Sequence, residues 1–189
     1  MRLFYLLPLL LIATFGTVHA QTPMKREIGL RSSLDNPLNA GFIYKKQLAE
    51  NRYRRYRLGF IDATVNVQSR AILAQYGIGA AIGTEFRKDL DSRLQFVHGP
   101  EFSASLSVVA VGNSGTADEY TQIAPRLGIG YVLGVQYNIN SQWYVNMETI
   151  PALSIGAQYT YGYQNPAPVY TISANLNLAT VGLTGAYRF

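Results

Sequence analysis

The sequence predicts an all-β chain, an eight-stranded antiparallel transmembrane β-barrel of the outer-membrane type. Three observations carry this expectation. Long stretches alternate between apolar and small or polar residues, as side chains do on the two faces of a strand. These stretches, such as Arg126 to Ile139, exceed the ~5–6 residues usual in globular sheets and match the ~9–11 tilted residues that cross a bilayer. Beyond Phe15 no apolar run is long enough for a spanning helix. Only helices and closed barrels satisfy every backbone group in lipid, so the barrel remains.

Met1 and Arg2 precede an apolar run from Leu3 to Phe15, and Val18-His19-Ala20 places small or compact residues where a signal peptidase reads. Residues 1–20 are expected to be a cleaved secretory signal, too short for a membrane anchor. Residues 21–189 then form one transmembrane barrel domain, since no linker or low-complexity tract divides them.

Strands are expected near 26–34, 40–48, 52–64, 74–87, 93–111, 122–138, 142–160 and 171–189, an allowed even number. The first would turn Glu27 and Arg31 inward, and the second Lys45. The third opens on Arg52-Tyr53-Arg54-Arg55-Tyr56-Arg57, beside the short turn at Glu50. Half of its bases would face the lumen and half would meet lipid head groups beside interfacial tyrosines. In the fourth, Tyr76, Ile78, Ala80, Ile82 and Phe86 oppose Gly77, Gly79, Gly83, Glu85 and Arg87. The fifth places Glu101 inward and His98 outward. In the sixth, Leu127, Ile129, Tyr131, Leu133 and Val135 oppose Gly128, Gly130, Gly134 and Gln136. The seventh sets Trp143, Val145, Met147, Leu153 and Ile155 against Asn146, Glu148, Ser154 and Gly156. In the eighth, Ile172 and Leu176 have the opposite parity to Leu183 and Tyr187, which implies a bulge near Ala179. The connections alternate between short turns and longer loops at 65–73, 112–121 and 161–170, with both termini on the short-turn, periplasmic side.

The glycine patterns from Gly77 to Gly83 and from Gly128 to Gly134 have even spacing and no following helix, unlike nucleotide loops. They make room for long charged neighbours in a lumen just wide enough for side chains. On this register the lumen charge network comprises Glu27, Glu85, Glu101 and Glu148 with Arg31, Lys45, Arg55, Arg57, Arg87, Arg93, Arg126 and Arg188. The cationic surplus suits a narrow anion-preferring pore. The narrowness favours a sealed salt-bridge network instead.

The chain has no cysteine, which excludes a disulfide framework, a thiolate metal site, a cysteine nucleophile and a lipid-modified cysteine. No catalytic residue, cofactor or metal site is expected, since His19 leaves with the signal. His98, Glu101 and Ser103 carry the residue types of a hydrolase triad, but alternation points His98 away from the other two. The net charge of +5 is a mild basicity, and an exported protein seldom meets nucleic acid.

The ending Ala186-Tyr187-Arg188-Phe189 resembles the C-terminal signature of bacterial outer-membrane barrels, which implies that Tyr187 and Phe189 form an assembly signal read by the barrel-assembly machinery. With Ile28-Gly29-Leu30-Arg31-Ser32-Ser33, Tyr44-Lys45-Lys46-Gln47-Leu48 and Leu127-Gly128-Ile129-Gly130-Tyr131, the chain resembles the small outer-membrane β-barrel domain family common in Bacteroidetes, and is similar in build to OmpA and OmpX barrels. The resemblance implies a porin-like fold in the bacterial outer membrane, with lipid around it, and carries no active-site residues. Three functions follow as expectations. The first is a structural, adhesive or envelope-complex role through the extracellular loops, with an envelope protein as partner. The second is the narrow pore. The third is a lipid A-modifying membrane enzyme.

Overall fold

Alternating side chains leave each strand one apolar face and one polar face, and only closure lets the polar face avoid lipid without a free edge. A computed structural model describes the backbone of residues 26–34, 40–68, 71–113, 120–162, 165–177 and 181–189, with side chains except at 60–68, 71–73, 113 and 165–168. Its strands are β1 (Arg26–Ser33), β2 (Ala40–Ala49), β3 (Arg52–Gln68), β4 (Ala71–Asp89), β5 (Leu94–Asn113), β6 (Tyr120–Asn138), β7 (Trp143–Thr149), β8 (Ala152–Gly162), β9 (Asn165–Asn177) and β10 (Val181–Arg188). Every neighbouring pair is antiparallel, and the ring closes where β1 meets β10 along Glu27↔Arg188 to Ser33↔Gly182. The chain is thus a closed eight-stranded antiparallel barrel.

The eight staves arise because two are broken. β7 and β8 form one stave that keeps its register on β6, from Leu133↔Thr149 to Gly130↔Ala152, across Ile150-Pro151. Pro151 has no N–H for the ladder. Its carbonyl still accepts from Tyr131 N at 3.0 Å. β9 and β10 form the last stave. Ile172 and Leu183 are both exposed on the outer wall despite opposite parity. The bulge expected near Ala179 lies outside the described residues, as do residues 1–20.

Two local devices shape the wall. At the short turn after β2, Asn51 takes a φ of 58°, a left-handed conformation that Asn tolerates. A bulge between Gly59 and Asp62, which alternation alone does not reveal, shifts the β3–β4 register.

The expected long loops are mostly strand. β3 and β4 stay paired to Gln68↔Ala71, β5 and β6 to Val111↔Tyr120, and β8 and β9 to Gly162↔Asn165. Hairpin pairing continues because each segment still finds a partner for its backbone groups. The result is uneven: β1 and β10 have 8 residues each, whereas β4 and β6 have 19. At ~3.3 Å per residue and a tilt near ~40°, that means rises of roughly 20 and 48 Å, against an apolar band of about 25 Å. The long staves therefore project past the β1–β2 hairpin. Among the described residues β3 has no partner on its first side beyond Gly59, and β9 pairs along one edge only.

Aromatic residues gather at both ends of the wall. Near the turns Trp143 and Tyr187 pack at 4.9 Å, and at the far end Tyr159 meets Tyr170 at 5.2 Å. Such girdles mark bilayer interfaces. The alternation predicts a labelling pattern for single cysteines introduced into β6. Tyr131→Cys, Leu133→Cys and Val135→Cys should react with a lipid-soluble maleimide, whereas Val132→Cys, at a position with no exposure, should not. Gly134 is a poor inward control because a Cβ there would stand 2.8 Å from the Met147 carbonyl oxygen. Equal labelling at 132 and 133 would refute the register.

Candidate functional site: the lumen charge network

Inward-facing charges of several staves meet near the barrel axis. Arg55 of β3 is the hub. Its terminal nitrogens donate to both carboxylate oxygens of Glu148 on β7 at 3.0 and 2.9 Å, while Nη1 also reaches Glu85 on β4 at 3.3 Å. Its Nε lies 3.1 Å from Glu101 on β5. One guanidinium thus holds three carboxylates from three staves.

The other pairs tie in the remaining wall. Arg31 of β1 donates to Glu148 at 2.8 Å, and Asn146 donates to the same carboxylate at 3.0 Å. Lys45 of β2 stands 2.7 Å from Glu85. Arg57 donates to Glu101 at 2.6 Å. Glu27 receives Arg87 in a two-pronged contact at 2.8 and 2.6 Å, Arg188 at 3.1 Å and the Tyr144 hydroxyl at 2.7 Å. The Arg87 guanidinium also lies 3.7 Å over the Tyr53 ring. Arg31 fills the space that a side chain at position 182 would need, which explains the glycine there.

Burial decides what this arrangement can do. Lys45, Arg55, Glu85, Gln136, Asn146, Val97 and Val132 are all less than 2% exposed. A charge so buried must be paired, and Lys45, Arg55 and Glu85 all are. The four carboxylates meet six cations, so the plug retains two positive charges in excess.

Two sequence expectations need correction. Arg93 is exposed in the β4–β5 turn, where it donates to the Tyr137 hydroxyl at 3.4 Å, because β5 starts one residue later than its alternation suggests. Arg126 keeps the inward parity but is exposed above the plug and has no carboxylate partner among the described residues. Alternation specifies a face and says nothing of height along the axis. The sequence reading also missed Tyr144 and Tyr53. Tyr144 was accessible, since it precedes lumen-facing Asn146 by two residues on one strand.

His98, Glu101 and Ser103 are not brought together. His98 sits on the outer wall among Phe86, Phe96 and Tyr131, with Nδ1 2.9 Å from the Tyr131 hydroxyl, while Glu101 points inward to Arg55 and Arg57. A furrow of about 960 Å³ runs along the outer wall between the Phe42–Leu58 and Tyr44–Tyr56 rows, and His98 is not part of its lining. Tyr187 packs against Trp143 and Phe189, and the Phe189 backbone pairs with Arg26 at the seam.

No family model matches the sequence, and no curated protein matches it either. Among solved structures the chain is similar to a major outer membrane protein of Thermus thermophilus, at 9% identity and a TM-score of 0.50, over 87% of this chain and 98% of that one. The N-terminal β-barrel domain of Pseudomonas aeruginosa OprF aligns at 14% identity and a TM-score of 0.39, over 87% and 96% of the two chains. Acinetobacter baumannii CarO aligns at 13% identity and 0.39, over 91% and 100%. At these identities the first likeness shows a shared fold.

Proposed function

We propose that the chain is an integral outer-membrane protein whose barrel is a closed, non-conducting anchor, and that it serves a structural, adhesive or envelope-complex role through the long staves on the side away from its short turns. The observation that supports this reading is the buried charge network, which fills the lumen from wall to wall around Arg55. Interior carboxylates with every oxygen engaged leave no hydrated path, which conduction requires. The projecting part of β3, β4, β5, β6, β8 and β9 supplies the surface on which an envelope protein partner would act. The aromatic girdles and the short turns near both described termini support periplasmic termini. On the same reading, residues 1–20 are a removed export signal, Tyr187 and Phe189 address the assembly machinery, and the Bacteroidetes-type family is the group to which the chain belongs.

Planar-bilayer recording on the refolded protein tests the central point. Wild type should show no stepwise anion current. A reproducible open channel in wild type would replace this reading with the pore.

A further inference from the structure

The outer wall carries a row of cations beside the short turns. Arg26 on β1 stands directly opposite Lys46 on β2, and Lys46 stands directly opposite Arg54 on β3. Parity turns all three away from the lumen, since Glu27, Lys45 and Arg55, each a strand neighbour of one of them, are the buried residues. Like charges set opposite one another on adjacent strands repel. Among the described residues none of the three forms an ion pair, so no carboxylate of the chain offsets that repulsion. Two residues further along β2 and β3, the next outward row holds Tyr44 and Tyr56, whose rings lie 6.1 Å apart. Cations beside tyrosines are what a wall shows where it leaves the apolar band.

The outer-wall furrow of about 960 Å³ begins at those tyrosines. Two small residues hollow it: Ala80 and Ala104, opposite each other on β4 and β5, stand in one row between Leu58 and Leu127. The furrow also climbs. Tyr44 and Tyr56 are each six residues from Glu50 in the β2–β3 turn, whereas Leu153 at the other end is twelve from Ser141 in the turn before β7. At ~3.3 Å per residue and a tilt near ~40°, the difference is a rise of about 15 Å, from the interface into the apolar band.

We propose that the row and the furrow together hold one anionic phospholipid of the leaflet on the short-turn side. Its phosphodiester sits between Lys46 and Arg54 with Arg26 alongside, and one acyl chain runs up the furrow past Ala80 and Ala104. Charge complementarity selects the head group, because a phosphodiester supplies the anion that three adjacent cations lack. The path selects the chain, because a lipid anchored beside the tyrosines finds an apolar trough leading away from the interface. A second copy of the barrel is a poorer occupant. A symmetric pair would bring the same cations together across the contact, with no counter-charge. The inference rests on reading the chain as an outer-membrane protein and does not depend on a closed lumen.

The test uses the full chain refolded in neutral detergent micelles, with heat-modifiable migration verifying that each variant folds. Dioleoyl phosphatidylglycerol and dioleoyl phosphatidylcholine are supplied in equal amounts, and native mass spectrometry reads the lipid that stays bound. Wild type should retain a single phosphatidylglycerol, preferred over phosphatidylcholine by about tenfold or more. High salt should weaken that preference. Lys46→Gln combined with Arg54→Gln should abolish it. Ala104→Phe keeps every cation but fills the furrow, and should lower the retained fraction several-fold. Glycerol phosphate, which has the anion and no chains, should fail to displace the lipid. Equal retention of the two lipids by wild type would overturn the proposal. So would an unchanged preference in the folded double variant, unchanged retention in folded Ala104→Phe, or displacement by glycerol phosphate. A lipid-free dimer would assign the furrow to a second copy instead. Failure of wild type to fold in micelles would overturn the outer-membrane reading itself, and the lipid site with it.

Discussion

Arg55→Met is expected to destabilise the folded barrel by roughly 3–5 kcal/mol, the range for removing one partner of a buried ion pair. The reason is the contacts it takes from three buried carboxylates at once. Glu148 would lose a two-pronged contact and keep Arg31, Glu101 would keep Arg57, and Glu85 would keep Lys45 and Arg87. Three carboxylates would then share the cations around an apolar side chain in a space closed to water. Urea unfolding in micelles, followed by the loss of heat-modifiable migration, measures the change. A loss below about 1 kcal/mol in the single variant would show that the hub is dispensable.

Leu133→Arg should cost about 2–4 kcal/mol, the penalty for Arg on the lipid face near the bilayer midplane. Leu133 faces outward on β6 between Tyr131 and Val135, well above the Trp143–Tyr187 girdle. The penalty depends on depth. Leu48→Arg, exposed beside the β2–β3 turn, should therefore cost only about 0–1 kcal/mol. Equal penalties at the two sites would contradict a membrane-spanning wall, and so would a larger one at Leu48.

The wall was legible because its face assignment depends only on parity. Leu127 to Ile139 and Tyr76 to Phe86 show the outer rows directly. Glu27, Arg31, Lys45, Arg55, Glu85 and Glu148 stand out because a charge inside such a pattern has no apolar alternative reading. What the sequence did not show is distance along the axis. Arg93 and Arg126 carry the same parity signal as Arg87 and Glu101, yet a turn holds one and the open upper region the other. The strand extensions past Thr64 and before Ala74 carry no clear signal, because Gln68-Ser69-Arg70 looks like turn chemistry and the residues around it alternate weakly. The bulge after Gly59 leaves no compositional mark beyond one glycine.

The seam between β1 and β10 sets the order of events during folding. Glu27 meets Arg188 across 161 residues of chain, so the first strand keeps one edge open until the last has been made. Closing a loop of that length precedes any gain from the contact, which slows the final step. Arg31 and Glu148 add a second delayed contact, across 117 residues. Until then the inward charges of β1 remain in water, and they lose that hydration when the ring shuts. Unfolding faces the same step in reverse, since opening the seam also parts the ion pairs held behind it. The barrel should therefore persist for longer than its equilibrium stability implies, with a slow unfolding rate protecting it.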